Sequence, residues 1–132
     1  MSDANDPQLT PFVTAVLGKK ALDVVILNVG GLTSLADAFI ICSGRSNRQV
    51  TAIAEYIRTT LKKEGLTPLS IEGLKEGHWV LMDYGNVVIH VFYDSVRRFY
   101  DLEGLWVDAP RISTPALEEW NRRQTESDTP LD

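Results

Sequence analysis

Two histidines, an aspartate and two serines are the residues of this chain that could take part in nucleophilic catalysis. The histidines are His78 and His90, the acid is Asp83, and the serines are Ser43 and Ser46. A serine nucleophile needs a base within hydrogen-bond reach and a third group that orients this base. No G-x-S-x-G elbow presents either serine, and Ser46 is explained as a helix cap with Gln49 three residues later. The sequence therefore predicts no hydrolase.

The segment Gly44-Arg45-Ser46 could bind an anion, because a helix that follows a strand exposes free N–H groups at its start. Nucleotidyltransferases place a Gly-Ser pair there and two metal-binding aspartates on the next strand. Here the next predicted strand offers only Glu72, and Asp101 and Glu103 lie much later in the chain. The histidines and the single cysteine also lack the spacing of a metal site. We therefore expect no metal, no cofactor and no phosphoryl transfer.

Hydrophobic periodicity and turn residues predict the elements that carry these side chains. Strand 38–43, the helix opened by Ser46 and strand 68–71 form a βαβ unit, which is normally right-handed. The order of elements predicts an α/β fold with a mixed sheet of about five strands and flanking helices. The remaining predicted elements are a helix at 7–22 capped by Asp6, a strand at 24–29, a hairpin at 78–93, a helix at 95–103 capped by Asp94, a helix at 115–123, and disorder at 124–132.

The net charge of −5 lies at the C-terminal end of the chain. Residues 1–100 hold ten acidic and ten basic side chains, whereas the last 32 residues hold eight acidic and three basic ones. This balance disfavours binding to a bare phosphate backbone and suits a basic protein partner or simple solubility. The lone Cys42 excludes an intrachain disulfide, and MSDANDPQLTPF does not look like a signal peptide. Both features favour a cytoplasmic location, and no run of apolar residues is long enough to predict a membrane span.

The hairpin has a register that the sequence fixes, because Gly85-Asn86 has the composition of a two-residue turn. One face is then uniformly apolar and predicts the core side, with Val80, Met82, Ile89 and Val91. The other face carries Trp79, Leu81, Asp83, Val88, His90 and Phe92. Either helices cover this second face, with Asp83 and His90 as a polar pair, or the end near the turn is open for a partner. Tyr84 lies at the tip, where an amphipathic ring is easily presented to a partner.

Aromatic residues concentrate in the hairpin and in the segment after it. Residues 78–106 contain two of the three tryptophans and three of the four tyrosines. Such side chains dominate the binding energy of protein interfaces, so we expect a surface that holds another macromolecule. Arg97 and Arg98 would be the best nucleic-acid contacts, but nearby Asp94 and Glu103 predict local ion pairs instead.

Four segments resemble the ribosomal silencing factor family RsfS, also called the Iojap family. They are SLADAFIICSGRSNRQVTAIA, LSIEG, HWVLMDYGNVVIHVF and RRFYDLEGLW. The resemblance covers about residues 9–108, so we expect a domain at 1–108 and an acidic, partly disordered tail at 109–132. It implies a nucleotidyltransferase-like fold without catalytic carboxylates.

The resemblance also implies a function that needs no enzyme activity. Members of this family bind the large ribosomal subunit through ribosomal protein L-fourteen and block association of the subunits, which represses translation. Carried onto this chain, the residues implied in partner binding are Trp79, Met82, Asp83, Tyr84 and Asn86. A large-subunit assembly factor and a nucleotide-handling transferase are the alternatives, and a homodimer of the free protein stays open.

Overall fold

The computed structural model describes residues 8–128 of the chain, with side chains up to residue 125. It confirms a mixed α/β fold with a five-stranded sheet. No helix in this described part is long and apolar enough to span a bilayer. The elements are α1 Thr10–Leu17, β1 Leu22–Asn28, β2 Ala38–Gly44, α2 Asn47–Lys63, β3 Ser70–Glu72, β4 Trp79–Asp83, β5 Val87–Tyr93, α3 Asp94–Tyr100, α4 Leu102–Leu105 and α5 Pro115–Asp128.

The strands lie in the order β1-β2-β5-β4-β3. β2 and β5 are parallel, whereas the pairs β1–β2, β4–β5 and β3–β4 are antiparallel. β3 therefore runs in the same direction as β2, as a βαβ unit requires, but β5 and β4 lie between them. The helix α2 thus crosses over two strands, which places the β4–β5 hairpin inside the sheet.

Helices α1 and α2 pack together, and α2 lies against β2, β4 and β5. α2 forms because its apolar side chains share one stripe, and because Ser46 caps it by accepting a hydrogen bond from the Gln49 amide at 3.1 Å. This confirms the predicted cap. The larger of two cores lies here and includes the α2 stripe Val50, Ile53, Ala54, Ile57 and Leu61. The smaller core lies on the other face of the sheet and includes Leu27, Ile41, Val88, Phe92 and Leu102.

The helices around the sheet differ from the predicted ones in their boundaries. α1 begins at Thr10 and ends at Leu17, and the predicted Asp6 cap lies outside the described residues. The single helix predicted at 95–103 is wrong, because Asp101 adopts a left-handed conformation with φ 47° and separates α3 from α4. Asp94 is the first residue of α3 rather than its cap. Asp101 is the residue that caps α4, by accepting from the Gly104 amide at 3.2 Å.

The C-terminal segment packs on the domain. The Ile112 amide donates to the Ile26 carbonyl at 2.9 Å, and Ile112 and Leu117 join the larger core. Thr114 caps α5 by accepting from the Leu117 amide at 3.1 Å. This confirms the predicted helix at 115–123, but α5 continues to Asp128 where disorder was predicted. Residues 129–132 lie outside the described part, and the domain boundary at 108 stays a prediction.

Candidate functional site

The β4–β5 hairpin has the predicted register. Trp79 pairs with Phe92, Leu81 with His90, and Asp83 with Val88, while the Tyr84 amide donates to the Val87 carbonyl at 2.9 Å. The two predicted faces are confirmed as well. Val80, Met82, Ile89 and Val91 belong to the larger core under α2, whereas Val88, Phe92 and the packed Trp79 and Leu81 belong to the smaller one.

A continuous chain of six rings crosses the second face of the sheet, and we call it the aromatic face. Each ring contacts the next with a centroid distance between 5.0 and 6.0 Å, an ordinary spacing for aromatic pairs. Phe39 comes from β2, Trp79 and His90 come from the hairpin, and the others come from the segment 99–106. In spatial order the rings are Trp106, Phe39, His90, Trp79, Tyr100 and Phe99.

His90 lies at the centre of the aromatic face, and its ring is held in one tautomer and one protonation state. The Trp79 indole Nε1–H donates to His90 Nδ1 at 3.1 Å, so Nδ1 is an acceptor and the proton of the neutral ring is on Nε2. His90 Nε2 is buried without a hydrogen-bond partner among residues 8–128. Burial lowers the pKa of His90 to about 4, which keeps the ring neutral. These properties suit a packing group rather than a general base near pH 7.

The predicted pair of Asp83 and His90 is wrong. The Asp83 carboxylate instead accepts a hydrogen bond from the Gly85 amide at 2.8 Å. Gly85 has φ +92°, a conformation that glycine adopts without the strain of a side chain. Asp83 therefore stabilises the hairpin turn, and His90 is hydrogen-bonded to the Trp79 indole instead.

Arg97 fixes helix α3 over one end of the aromatic face. Its guanidinium donates to the Asp23 carbonyl at 2.8 Å, to Ser43 Oγ at 2.9 Å and to Glu103 Oε2 at 2.7 Å. The Ser43 hydroxyl is thus an acceptor for the buried arginine. Burial alone would raise the pKa of Glu103, but the hydrogen bond and charge of Arg97 hold that pKa below its usual value. Since Arg98 pairs with Asp94, the prediction of local ion pairs is confirmed.

The aromatic face is only partly covered by α3, α4 and the segment after them. Phe39, Trp79 and Trp106 are half-buried, while Phe99 is 80% exposed and Tyr100 is 52% exposed. An open groove of about 520 Å³ lies between the start of β4 and α3. Its lining includes Glu76, His78, Trp79, Phe99 and Tyr100. A partner could therefore contact these rings directly. The opening lies at the start of β4 and not at the end near the turn, so it differs from the open end that the sequence left as an alternative.

The residues predicted for partner binding do not form one cluster. Trp79 lies within the aromatic face, stacked on Phe92 at 4.8 Å, and Asp83 lies on the same side of β4 near the turn. Asn86 is exposed at the tip, where its amide donates to Gln8 Oε1 at 3.2 Å. These three residues offer surface to a partner, and their role in binding stays a prediction.

Met82 and Tyr84 point to the opposite side of the hairpin. Met82 is fully buried in the larger core and offers no surface in this structure. The Tyr84 ring packs edge-on against Phe12 of α1 at 5.2 Å, and its hydroxyl is buried without a described hydrogen-bond partner. Burial raises the pKa of Tyr84 to about 12, despite the charge of Arg58. The expectation of a presented ring is therefore wrong, because the strand alternation that buries Met82 also directs Tyr84 toward α1.

The exposed rings of α3 and the contribution of β2 to the aromatic face are not among the features that the sequence predicted. Phe99 and Tyr100 fall within the helix predicted at 95–103, but they are not among the residues predicted for partner binding. Their exposure follows from Arg97, which faces inward at 8% exposure and so turns its apolar neighbours outward. The alternation of side chains along β2 predicts which face Phe39 is on. It does not predict that β2 lies next to β5, and this pairing is what brings Phe39 to the aromatic face.

Comparison with known proteins agrees with this fold and with the sequence motifs. The chain matches the family described as "Ribosomal silencing factor during starvation" (RsfS) over residues 2–131. It is 43% identical over 109 residues to the ribosomal silencing factor RsfS of Halalkalibacterium halodurans, covering 83% of this chain and 93% of that one. The chain belongs to the RsfS family. The names of its bacterial relatives describe a ribosomal regulator.

Two further relatives extend the comparison. A crystal structure of a protein from Bacillus halodurans is similar with a TM-score of 0.73 and 40% identity, covering 83% of this chain and 99% of that one. A mouse protein is 31% identical over 97 residues, covering 71% of this chain and 42% of its own length. It is named for mitochondrial assembly of the ribosomal large subunit. Both the bacterial and the organellar members of this comparison are therefore named for work on ribosomes.

Proposed function

We propose that this protein binds the large ribosomal subunit in the cytoplasm, through ribosomal protein L-fourteen, and represses translation by blocking subunit association. Bound at the face that meets the small subunit, the protein would exclude that subunit by its volume. The mechanism needs only occupancy, and no covalent step or cofactor enters it. Membership of the RsfS family supports the ribosomal partner, and the surface described above supports the mode of binding.

The aromatic face is the single observation that carries the proposal. Its rings are held by sheet and helix, so a partner that binds them orders few side chains and loses little entropy. Phe99 and Tyr100 supply exposed aromatic area, and large aromatic side chains are enriched at the energetic centres of protein interfaces. On the opposite face of the sheet, α2 covers β2, β4 and β5.

The charges around the aromatic face suit a basic partner. Glu76 lines the groove beside Trp79 and Phe99, and Asp83 lies on the same side of β4 nearer the turn. The whole chain carries a net charge of −5. Complementary charge speeds the encounter and fixes the orientation of partners more than it adds affinity. We therefore expect the association rate with L-fourteen to fall as salt concentration rises.

Sedimentation of purified ribosomal subunits tests the proposed activity. Addition of the protein to separate subunits should lower the fraction that joins, and the effect should saturate with protein concentration. The same protein should co-sediment with the large subunit and bind isolated L-fourteen. Unchanged joining under conditions where the large subunit is saturated with protein would refute the blocking mechanism.

Two substitutions test the surface. Phe99→Ala should weaken binding to isolated L-fourteen by more than about 1 kcal/mol, because it removes an exposed ring without disturbing the core. Asp83→Asn removes a charge but keeps an amide oxygen that can accept from Gly85, so the turn should survive. Glu55→Gln on the outer side of α2 is the matched charge control. Equal affinity of all three variants and the wild type would mean that the partner binds elsewhere.

A role in large-subunit assembly is a second candidate, and the name of the mouse relative favours it. Both functions use the same subunit, so binding alone does not separate them. Deletion of an assembly factor should lead to accumulation of precursor particles of the large subunit during growth. Deletion of a blocking factor should leave assembly normal and raise the fraction of joined ribosomes when nutrients are scarce.

A further inference from the structure

A second cleft lies between α1, the start of α2 and α5, and it shares no lining residue with the groove at the aromatic face. Its volume is about 480 Å³. Loops after α1 and β2 supply Lys20 and Arg45, α2 supplies Gln49, and α5 supplies Trp120 and Gln124. The site is therefore built from three segments that are distant in sequence, at residues 17–22, 45–49 and 120–124.

The charge of this cleft is opposite to that of the chain. The protein carries a net charge of −5, yet the cleft lining contains two cations and no carboxylate. Neither Lys20 nor Arg45 forms an ion pair with another residue in the described range 8–128. Two cations without partners on one concave surface attract an anion, and a low-dielectric wall strengthens that attraction.

The Gln49 side chain joins the two loops that carry these cations. Its Oε1 accepts from the Arg45 amide at 2.5 Å, and its Nε2 donates to the Lys20 carbonyl at 3.4 Å. One amide group therefore holds the backbone of Lys20 and of Arg45 at the same rim. Since both backbones are fixed, an anion that bridges the two side chains would have to order only the side chains themselves.

Trp120 adds an aromatic wall to the cation pair. The ring is half-buried against the larger core, which fixes its position, and it also lines the cleft. Leu17 and Leu22 extend the apolar part of the lining. Aromatic side chains stack on nucleobases, and lysine and arginine bind phosphates. The combination of one fixed ring with two cations matches the two ends of a nucleotide.

We propose that this cleft binds a nucleotide, with its base on Trp120 and its phosphates at Lys20 and Arg45. The lining has no carboxylate to hold the metal ions of phosphoryl transfer, so the nucleotide is a bound ligand and not a substrate. The ligand is a free nucleotide or a nucleotide within a single RNA strand, since both present the same base and phosphate. The inference does not depend on the partner proposed for the aromatic face.

Nuclear magnetic resonance of the full chain provides a site-specific test, because the protein has three tryptophans with separate indole N–H signals. The Trp120 signal is assigned by its loss in Trp120→Phe. Titration with ATP, without added divalent cation, should move the Trp120 signal saturably and leave those of Trp79 and Trp106 in place. Pyrophosphate should compete with ATP, whereas adenosine should bind more weakly than ATP.

The charge dependence is tested with two double variants of equal net charge. Lys20→Gln with Arg45→Gln should weaken ATP binding by about tenfold or more, as expected when two phosphate contacts are lost. Lys19→Gln with Arg48→Gln is the control, because both side chains are exposed and neither lines the cleft. The unchanged signals of Trp79 and Trp106 would show that each variant remains folded.

A short single-stranded RNA distinguishes the two sources of the ligand. Tighter binding of RNA than of ATP, with the same dependence on Lys20 and Arg45, would assign the cleft to a nucleotide in a strand. Tighter binding of ATP would assign it to a free nucleotide. The proposal is overturned if millimolar ATP and RNA leave the Trp120 signal unmoved, or if both double variants bind equally well.

Discussion

The ion pair between Arg97 and Glu103 gives the sharpest prediction about stability, because one partner is almost fully buried. Glu103→Gln keeps an oxygen that can accept one hydrogen bond but removes the charge that compensates the guanidinium. Breaking a buried pair by changing one partner costs about 3 to 5 kcal/mol, and an exposed pair contributes about 0 to 1 kcal/mol. The Arg97 side chain is 9% exposed and that of Glu103 is 20% exposed. We therefore expect Glu103→Gln to lower the free energy of unfolding by about 2 kcal/mol at pH 7.

Urea denaturation followed by circular dichroism measures this difference, with Glu55→Gln as the matched control. Glu55 pairs with Arg58 at 3.6 Å, and the two side chains are 46% and 50% exposed. The free energy of unfolding of this control should fall by less than about 0.5 kcal/mol, because solvent screens an exposed pair. Equal losses of unfolding free energy in the two variants would show that burial does not make the Arg97–Glu103 pair more stabilising than an exposed pair.

The effect of Glu103→Gln should depend on pH in a defined direction. The pKa of Glu103 is lowered in the folded state, so its contribution is complete above the unfolded-state value of about 4.3. The contribution is lost as pH falls through the lower folded-state value. The difference in unfolding free energy between wild type and Glu103→Gln should therefore become smaller at acidic pH. His90 titrates in both proteins, so its contribution cancels in the difference between them. A difference in unfolding free energy that does not change with pH would contradict the predicted role of Glu103.

Three other predictions concern single positions. Gly73→Ala should lower the free energy of unfolding by more than about 2 kcal/mol in a denaturant titration, because Gly73 has φ +84° and its added Cβ would lie 2.0 Å from the Trp79 carbonyl oxygen. A Cβ added at Gly31 would meet nothing within 4 Å, so Gly31→Ala should change the free energy of unfolding by less than about 0.5 kcal/mol. Equal losses of stability in the two variants would contradict the predicted clash at Gly73. Tyr84→Phe should leave the melting temperature unchanged or raise it, since it removes a buried hydroxyl without a described partner; a clear decrease would show that the hydroxyl is bonded. Burial raises the pKa of Cys42 to about 12, so a thiol reagent should label it only when the protein unfolds, and rapid labelling of native protein would be inconsistent with the buried site.

The sequence determined the features that depend on neighbours along the chain. The register of the hairpin follows from the Gly85-Asn86 turn and from the period of two in a strand, and each predicted pair is present. The start of α2 follows from the cap formed by Ser46 and Gln49. Motifs distributed over the chain also predicted the RsfS family, which the comparisons confirm. In each case the signal lies within a short segment or in residue identity, so no knowledge of the packing is needed.

The tertiary structure alone decided which of these side chains are exposed. Tyr84 packs against α1 instead of standing free, because Phe12 comes from an element far away in sequence. Arg97 faces inward because the Asp23 carbonyl, Ser43 and Glu103 together satisfy its guanidinium, and this leaves Phe99 in solvent. A residue's own type favours burial or exposure only on average. The partners that reverse this preference come from other elements, and only the folded chain brings them within hydrogen-bond distance.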